Sequence, residues 1–313
     1  MKRVSLLFLF FIFNQFMFAQ YTDIINSKRP GFSESPYGVG TDVLQIESGL
    51  FYRSSDNEAY LANPTSIGGE LFFRYGKFIE KLEVNALVAY QSDEFINLAG
   101  ATYKTNGISK LTVGAKYLVY QQEYTDKSKE VRSWKRKMAF DKKRLIPSVG
   151  VYAGVNTNFI GKDYKENELT VKAAVLLQND FTDRFVLLTN LIADKILSDS
   201  NQYSYIATMT YALNGKWSYF IENQGFFEEG IAPKYNFGTG LAYLYTKNLQ
   251  FDASVRTNFF EDYSFVYSSI GVAWRLDRHS DEIIQSSPRD QISKKRKRRK
   301  SGNFFSRLFK KKY

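Results

Sequence analysis

The sequence predicts an all-β protein, namely a transmembrane antiparallel up-and-down β-barrel of about 12 strands. Three observations support this fold class. A hydrophobic leader opens the chain, short stretches after it alternate apolar and polar residues, and no long apolar segment follows the leader. A barrel strand needs about 9–11 residues with every second one facing lipid, whereas a spanning helix needs about 20 consecutive apolar residues. The alternation therefore favours strands that cross an outer membrane.

Residues 1–19 have the pattern of a secretory signal peptide. Lys2 and Arg3 form a basic start, residues 4–13 are almost all apolar, and Ala19 is a small residue suited to cleavage. The alternative, a single N-terminal membrane anchor, is disfavoured because the apolar run is far shorter than about 20 residues. The chain has no cysteine, which excludes a cysteine-linked lipid anchor, disulfides and thiolate metal sites.

The predicted strands follow one another with the same alternation. In the third, Leu82, Val84 and Ala86 face outward while Glu83 and Asn85 face inward, since successive side chains of a strand point to opposite faces. The seventh is ambiguous because both of its faces are apolar. In order, the strands are 43–53, 66–75, 81–91, 109–120, 149–155, 169–177, 184–194, 203–213, one starting at 217, 237–245, one starting at 249, and 265–276.

Connection lengths give the barrel a predicted orientation. Most odd-to-even connections are long and polar, and most even-to-odd connections are tight, with Asn214-Gly215 as the strongest hairpin signal. Outer-membrane barrels have long external loops and short periplasmic turns, so both termini are predicted to be periplasmic. The exceptions are a short external connection at Glu261-Asp262 and a long basic periplasmic segment, 121–143, which is either a solvated loop or a binding site. The long loops are predicted at 54–65, 92–107, 156–168, 195–202 and 227–235.

Four regions follow from this pattern: a signal peptide at 1–19, a periplasmic N-terminal segment at 20–42, the barrel at 43–276, and a basic periplasmic tail at 277–313. The segment 20–42 is a possible plug, in which Arg29 and Glu34 would pair with lumen charges. The tail carries +9 of the net charge of +11 and the leader the other +2, so residues 20–276 between them are neutral and no nucleic-acid binding is expected.

The tail contains a run of seven basic residues at 294–300, followed by Phe304, Phe305, Leu308 and Phe309 on one helical face. Such a pattern suits an anionic membrane surface or cell-wall contact, and it equally suits a solvated tail.

Inward-facing charges are the candidate site residues, because charges in a barrel lumen tune selectivity. They either line an open channel or pair across the lumen and fill it, since a barrel of about 12 strands has a modest bore. These candidates are Glu47, Glu70, Arg74, Glu83, Lys110, Lys116, Lys172, Glu222, Asp252, Arg256 and Arg275.

Catalytic chemistry is not expected. The single histidine, His279, follows the last strand, so the barrel has neither a Ser-His-Asp triad nor a histidine metal site. Nucleotide-binding glycine motifs are absent as well. The sequence therefore predicts no enzyme, no metal and no cofactor.

Several stretches resemble a known family. RPGFSESP at 29–36 and LQIESG at 44–49 are similar to the opening of the outer-membrane "meta-pathway of phenol degradation" proteins, which are often described as transporters. GISKLTVGAKY at 107–117, WSYFIE at 217–222 and LQFD at 249–252 are similar to later strands of that family. Ser27, Lys28 and Gly31 depart from the acidic residues that the family has near this motif.

The resemblance implies a barrel that moves small, aromatic or hydrophobic compounds across the outer membrane, with outer-membrane lipid and the barrel-assembly machinery as partners. It does not identify the solute. The Ala19-Gln20 junction and the basic tail look like Bacteroidetes members. Passive passage is thus the leading function. The alternatives are a closed structural barrel with a tethering basic tail, and a soluble barrel that binds a ligand.

Overall fold

The computed structural model describes residues 22–57, 61–77, 79–123, 125, 133–135, 139–157, 163–164, 169–196, 198, 201–258 and 263–279. The predicted signal peptide and residues 280–313 of the predicted tail lie outside the described residues. Within the described ranges, every helical stretch is too short or too polar to cross a membrane.

Twelve antiparallel strands form one closed barrel in which each strand pairs with its sequence neighbours and β1 pairs with β12. The predicted 12-strand up-and-down fold is therefore confirmed. The strands are β1 Val43–Asn57, β2 Thr65–Gly76, β3 Leu82–Ile96, β4 Thr102–Tyr120, β5 Ser148–Asn156, β6 Thr170–Asp180, β7 Phe185–Ile196, β8 Gln202–Ala212, β9 Trp217–Glu228, β10 Ile231–Thr246, β11 Leu249–Asn258 and β12 Tyr263–Asp277.

The two faces of the sheet have opposite chemistry. Leu50 and Ile270 on the outside are 64% and 63% exposed, whereas Glu47 and Arg74 on the inside are 1% and 2% exposed. A water-soluble protein buries its apolar side chains and exposes its charges, so this inversion requires an apolar medium around the barrel.

Two predicted loops are wrong because the strands continue through them. The loop predicted at 92–107 is a hairpin in which β3 and β4 pair out to Ile96 and Thr102, and the loop predicted at 227–235 is a hairpin between β9 and β10. The Asn97 carboxamide oxygen accepts from the N–H groups of Ala99 and Ala101 and closes the first turn. Both hairpins carry polar residues on both faces, so the alternation that reveals a lipid-facing strand is missing there.

The seventh strand, whose faces the sequence leaves ambiguous, has a clear orientation in the barrel. Asn190 is 1% exposed and faces inward, and Leu191 is 52% exposed and faces outward. Val186 and Leu188 share the inward face of Asn190 because they stand at even spacing from it. This strand therefore contributes apolar side chains to the lumen as well as to the outer surface.

Residues 22–42 precede β1 and lie inside the barrel; they are called the N-terminal segment below. We call the end of the barrel where β1 begins the near end, and the opposite end the far end. Ile25 donates a backbone hydrogen bond to Lys247 in the turn between β10 and β11, 2.9 Å away. Asp42 donates to the Gly76 carbonyl at 2.9 Å and connects the segment to β1.

Candidate functional site

The backbone of the N-terminal segment is held by side chains of the barrel wall. The Phe32 N–H donates to the Glu222 carboxylate at 2.8 Å. Glu34 and Asn190 bond reciprocally: the Glu34 N–H donates to the Asn190 carboxamide oxygen at 3.2 Å, and the Asn190 amide donates to the Glu34 carbonyl at 3.0 Å. Irregular backbone is tolerated at membrane depth only where such partners satisfy it, so the lumen is shaped to hold this segment.

Arg29 is the most connected side chain of the segment. Its guanidinium lies 2.6 Å from Glu70 of β2 and 3.0 Å from Asp252 of β11. It rests against two glycines of the wall: a Cβ added to Gly49 or Gly271 would lie 2.0 or 2.2 Å from it. These glycines leave the space that the guanidinium occupies between its two carboxylates.

A second ion-pair cluster lies toward the near end, on β1 to β4. The Arg74 guanidinium lies 2.9 Å from Glu83 and 3.2 Å from Glu47, and Lys116 lies 3.4 Å from Glu83. All four side chains are almost completely buried. Arg74 also donates to the Asn26 carbonyl at 2.6 Å, so this cluster binds the N-terminal segment too.

A third cluster holds the middle of the segment. Arg256 lies 3.3 Å from Glu222 and donates to the Pro30 carbonyl at 2.6 Å. Its guanidinium carbon is 3.7 Å from the centre of the Phe32 ring, within the range of a cation–π contact. Glu222 also accepts from Thr208 at 2.8 Å. The segment is thus fixed here by charge, hydrogen bonds and ring contact together.

Three predicted lumen cations lie outside these clusters. Arg275, at the near end, donates to the Thr22 and Asp23 carbonyls at 2.6 and 2.7 Å. Lys172 is 3.9 Å from Asp194 of β7, a loose ion pair. Lys110 faces the lumen opposite Ala89 and has neither a hydrogen bond nor an ion pair among the described residues.

Glu34 is a buried carboxylate of the N-terminal segment whose pKa is set by nearby lysines. It pairs with Lys28 at 3.0 Å. Burial alone raises the pKa of Glu34, but the charges of Lys28, Lys116 and Lys172 together outweigh it and lower this pKa to about 2. Burial lowers the pKa of Lys28, but the charges of Glu34, Glu70 and Glu47 together outweigh it and the net pKa is raised. Both groups therefore stay charged across the neutral pH range.

The segment does not fill the lumen completely. A cavity of about 230 Å³ separates it from the wall formed by β6 to β11. Ile25 and Pro30 line it on the segment side, and Val186, Leu188 and Phe220 line it on the wall side. The apolar inward face of β7 therefore lines a cavity of mixed polarity beside the segment.

Aromatic side chains line the lumen beyond the segment, toward the far end. Phe51 stacks on Tyr267 at 5.2 Å between ring centres, and Tyr267 meets Phe32 edge-on at 5.9 Å. Beyond them, the Arg53 guanidinium lies over the Phe265 ring at 4.8 Å. The sequence reasoning missed Arg53 as a lumen residue, although its even spacing from Glu47 within the predicted first strand could have identified it.

Comparison with solved structures shows that this β-barrel fold also occurs in known outer-membrane proteins. An outer membrane channel from Pseudomonas putida F1 aligns with a TM-score of 0.53 at 13% identity, covering 80% of this chain and 100% of that chain. The translocator domain of the autotransporter NalP from Neisseria meningitidis aligns with a TM-score of 0.46 at 12% identity, covering 76% of this chain and 89% of that chain. No curated protein sequence matches the chain.

A family model matches most of the sequence. The model is described as "Putative MetA-pathway of phenol degradation" and matches residues 27–276. The match starts inside the N-terminal segment and ends in β12, so it includes both the barrel and the residues that occupy its lumen. The chain belongs to this family, and its fold is that of an outer-membrane β-barrel channel.

Proposed function

We propose that the protein is an outer-membrane channel for the passive passage of small molecules, with aromatic or hydrophobic solutes as its substrates. Family membership and the channel fold support this function. The observation that carries it is the cavity of about 230 Å³ beside the N-terminal segment, whose wall combines Val186, Leu188 and Phe220 with the hydroxyl group of Thr208. Apolar side chains with a few polar groups are typical of sites for small organic molecules.

The N-terminal segment acts in this proposal as a plug that narrows the channel. Its support is the ion pairing of Arg29 with Glu70 and Asp252, together with the hydrogen bond from the Phe32 N–H to Glu222. Passage then follows the apolar side of the lumen, along β6 to β11. Movement of the segment would widen it.

The proposed topology has both termini in the periplasm, with residues 1–19 as a cleaved signal peptide and 277–313 as a periplasmic tail. An even number of strands supports termini on one side of the membrane. Outer-membrane lipid surrounds the barrel, and the barrel-assembly machinery inserts it. The basic tail and the leader junction support a Bacteroidetes-like member.

A planar-bilayer experiment tests the channel function and the plug together. Refolded protein of residues 20–313 is compared with the same protein lacking residues 21–40. We expect small stepwise currents from the first and several-fold larger ones from the second. A heat-modifiable, hence folded, barrel that stays silent in both forms would refute a channel.

The second candidate function is a closed structural barrel, with a basic tail that contacts the membrane surface or the cell wall. The observation that favours it is the buried Glu47, Arg74 and Glu83 cluster, which ties the segment to the wall. Deletion of residues 286–313 tests it. An envelope defect with unchanged solute uptake would support this function over the channel.

A further inference from the structure

Arg53 differs from the other arginines of the lumen in having no carboxylate partner among the described residues. The acid whose charge acts on it most strongly is Asp93 of β3, which does not come within ion-pair distance. Asp93 instead accepts a hydrogen bond from Tyr164 at 2.6 Å. The other arginines pair as follows: Arg29 with Asp252, Arg74 with Glu83, Arg256 with Glu222, and Arg275 with Asp277.

The donors of Arg53 are also largely unused. A guanidinium has five N–H groups. Among the described residues, Arg53 makes one hydrogen bond, from Nη2 to the Tyr263 hydroxyl, and its buried Nε has no acceptor. An unpaired cation in a partly desolvated position is costly, and a carboxylate that accepts two parallel N–H bonds is the partner that best offsets that cost.

The surroundings of Arg53 are aromatic. Its guanidinium carbon lies 4.8 Å from the Phe265 ring centre and 5.8 Å from that of Tyr263. Phe51 stands two residues away on the same face of β1 and is stacked on Tyr267. The aromatic rings and the Arg53 guanidinium therefore lie on the same part of the barrel wall, where a flat apolar ligand could contact both.

We propose that Arg53, with Phe51, Phe265 and Tyr267, binds the carboxylate form of a small aromatic acid at the far end of the lumen. The carboxylate accepts hydrogen bonds from the guanidinium, and the ring of the acid packs on the wall rings. Because this guanidinium offers one positive charge without a carboxylate partner among the described residues, the site should select a monoanion. This inference rests on the proposed channel function only in that the solute must reach the lumen.

Equilibrium binding by calorimetry tests the site on the refolded 20–313 protein in detergent. Benzoate is the probe, and benzyl alcohol is the neutral control of similar shape. We expect benzoate to bind at least about tenfold more tightly than benzyl alcohol, since a charge-assisted hydrogen bond contributes that much. Equal affinity for the two probes would overturn the proposal.

Two substitutions locate the site. Arg53→Gln should weaken benzoate binding about tenfold or more, and Phe265→Leu about two- to fivefold. Lys110→Gln is the matched control, because Lys110 also faces the lumen without an ion pair among the described residues, and it should leave the affinity unchanged. Loss of affinity in Lys110→Gln with none in Arg53→Gln would overturn the assignment.

Further measurements distinguish a loss of benzoate binding from a loss of folding or of conduction. Heat-modifiability on gels reports whether each variant is folded; if Arg53→Gln does not fold, unchanged affinity in Phe265→Leu overturns the proposal. A protein that binds benzoate through Arg53 but passes no current refutes the channel and leaves this site in place. A conducting protein with no Arg53-dependent benzoate binding refutes this site and leaves the channel.

Discussion

The guanidinium of Arg29 lies 3.0 Å from the carboxylate of Asp252, although the two residues are 223 positions apart in the sequence. Neither group reaches bulk water, because Arg29 is 7% exposed and the Asp252 side chain is fully buried. This pair connects the N-terminal segment to β11, one of the last strands of the barrel to be synthesised.

Arg29→Ala should release the segment from the lumen. It leaves Asp252 and Glu70 without their shared cation, and breaking a buried pair costs about 3–5 kcal/mol. Trypsin cleavage after Lys28 should therefore become faster, and bilayer currents should rise. Lys247→Ala is the control, since it removes an exposed pair with Asp23 that contributes about 0–1 kcal/mol. Equal rates of trypsin cleavage in the wild type, Arg29→Ala and Lys247→Ala would contradict this role of Arg29.

Gly271→Ala should reproduce that effect without any change of charge. Its Cβ would lie 2.2 Å from the Arg29 guanidinium, so the side chain must leave its position between the two carboxylates. Gly215→Ala meets no atom within 4 Å and serves as the control. We expect larger currents from the first variant and wild-type currents from the second. Wild-type currents from Gly271→Ala would mean that Arg29 does not hold the segment in place.

Acid should loosen the segment through Glu34. Its pKa is about 2 when the segment is docked and near its ordinary value of 4.5 when the group is solvated, so the docked state binds fewer protons. The contribution of Glu34 to docking is complete above pH 4.5 and is lost as the pH falls towards 2. Lys28, whose pKa is raised above 10.5, loses its contribution only as the pH rises past that value. Currents recorded from pH 7 to pH 2.5 should increase more steeply in wild type than in Glu34→Gln, and equal slopes would exclude Glu34 as the titrating group.

A lysine on the outer face should destabilise the barrel according to its depth. Val151 is 42% exposed near the middle of β5, and Val151→Lys should cost about 2–4 kcal/mol of folding free energy. Leu213→Lys, beyond the end of β8, should cost about 0–1 kcal/mol. Urea unfolding in lipid vesicles measures both. If Val151→Lys cost no more than Leu213→Lys, the lipid-facing assignment of β5 would be wrong.

The sequence alone predicts the strands where one face meets lipid and the other meets the lumen. In β11, Phe251 and Val255 alternate with Asp252 and Arg256, and the structure has the same inward and outward sets. The prediction fails at the hairpins of β3 with β4 and of β9 with β10, where polar residues occur on both faces and no regular alternation marks the strands. It was indecisive at β7, because Val186 and Leu188 line an internal cavity and add a second apolar face.

The candidate site was less predictable than the fold. Alternation indicates that Glu47, Arg74 and Glu83 share the inward face, but their pairing depends on how neighbouring strands are offset. The even spacing of Arg53 from Glu47 could have placed it in the lumen, but its ring partners could not be predicted. These partners, Tyr263 and Phe265, come from the other end of the chain. Only the pairing of β1 with β12 brings them together, and no local pattern states that register.

The closing seam of the barrel runs between β1 and β12, directly beneath Arg29. Glu70 belongs to β2 on one side of this seam and Asp252 to β11 on the other, so one guanidinium joins both margins from within. Gly49 and Gly271, which make room for it, are paired partners across the seam itself. The segment therefore stabilises the pairing of β1 with β12 as well as narrowing the lumen. A chain that lacks the segment should form this closing strand pair less stably.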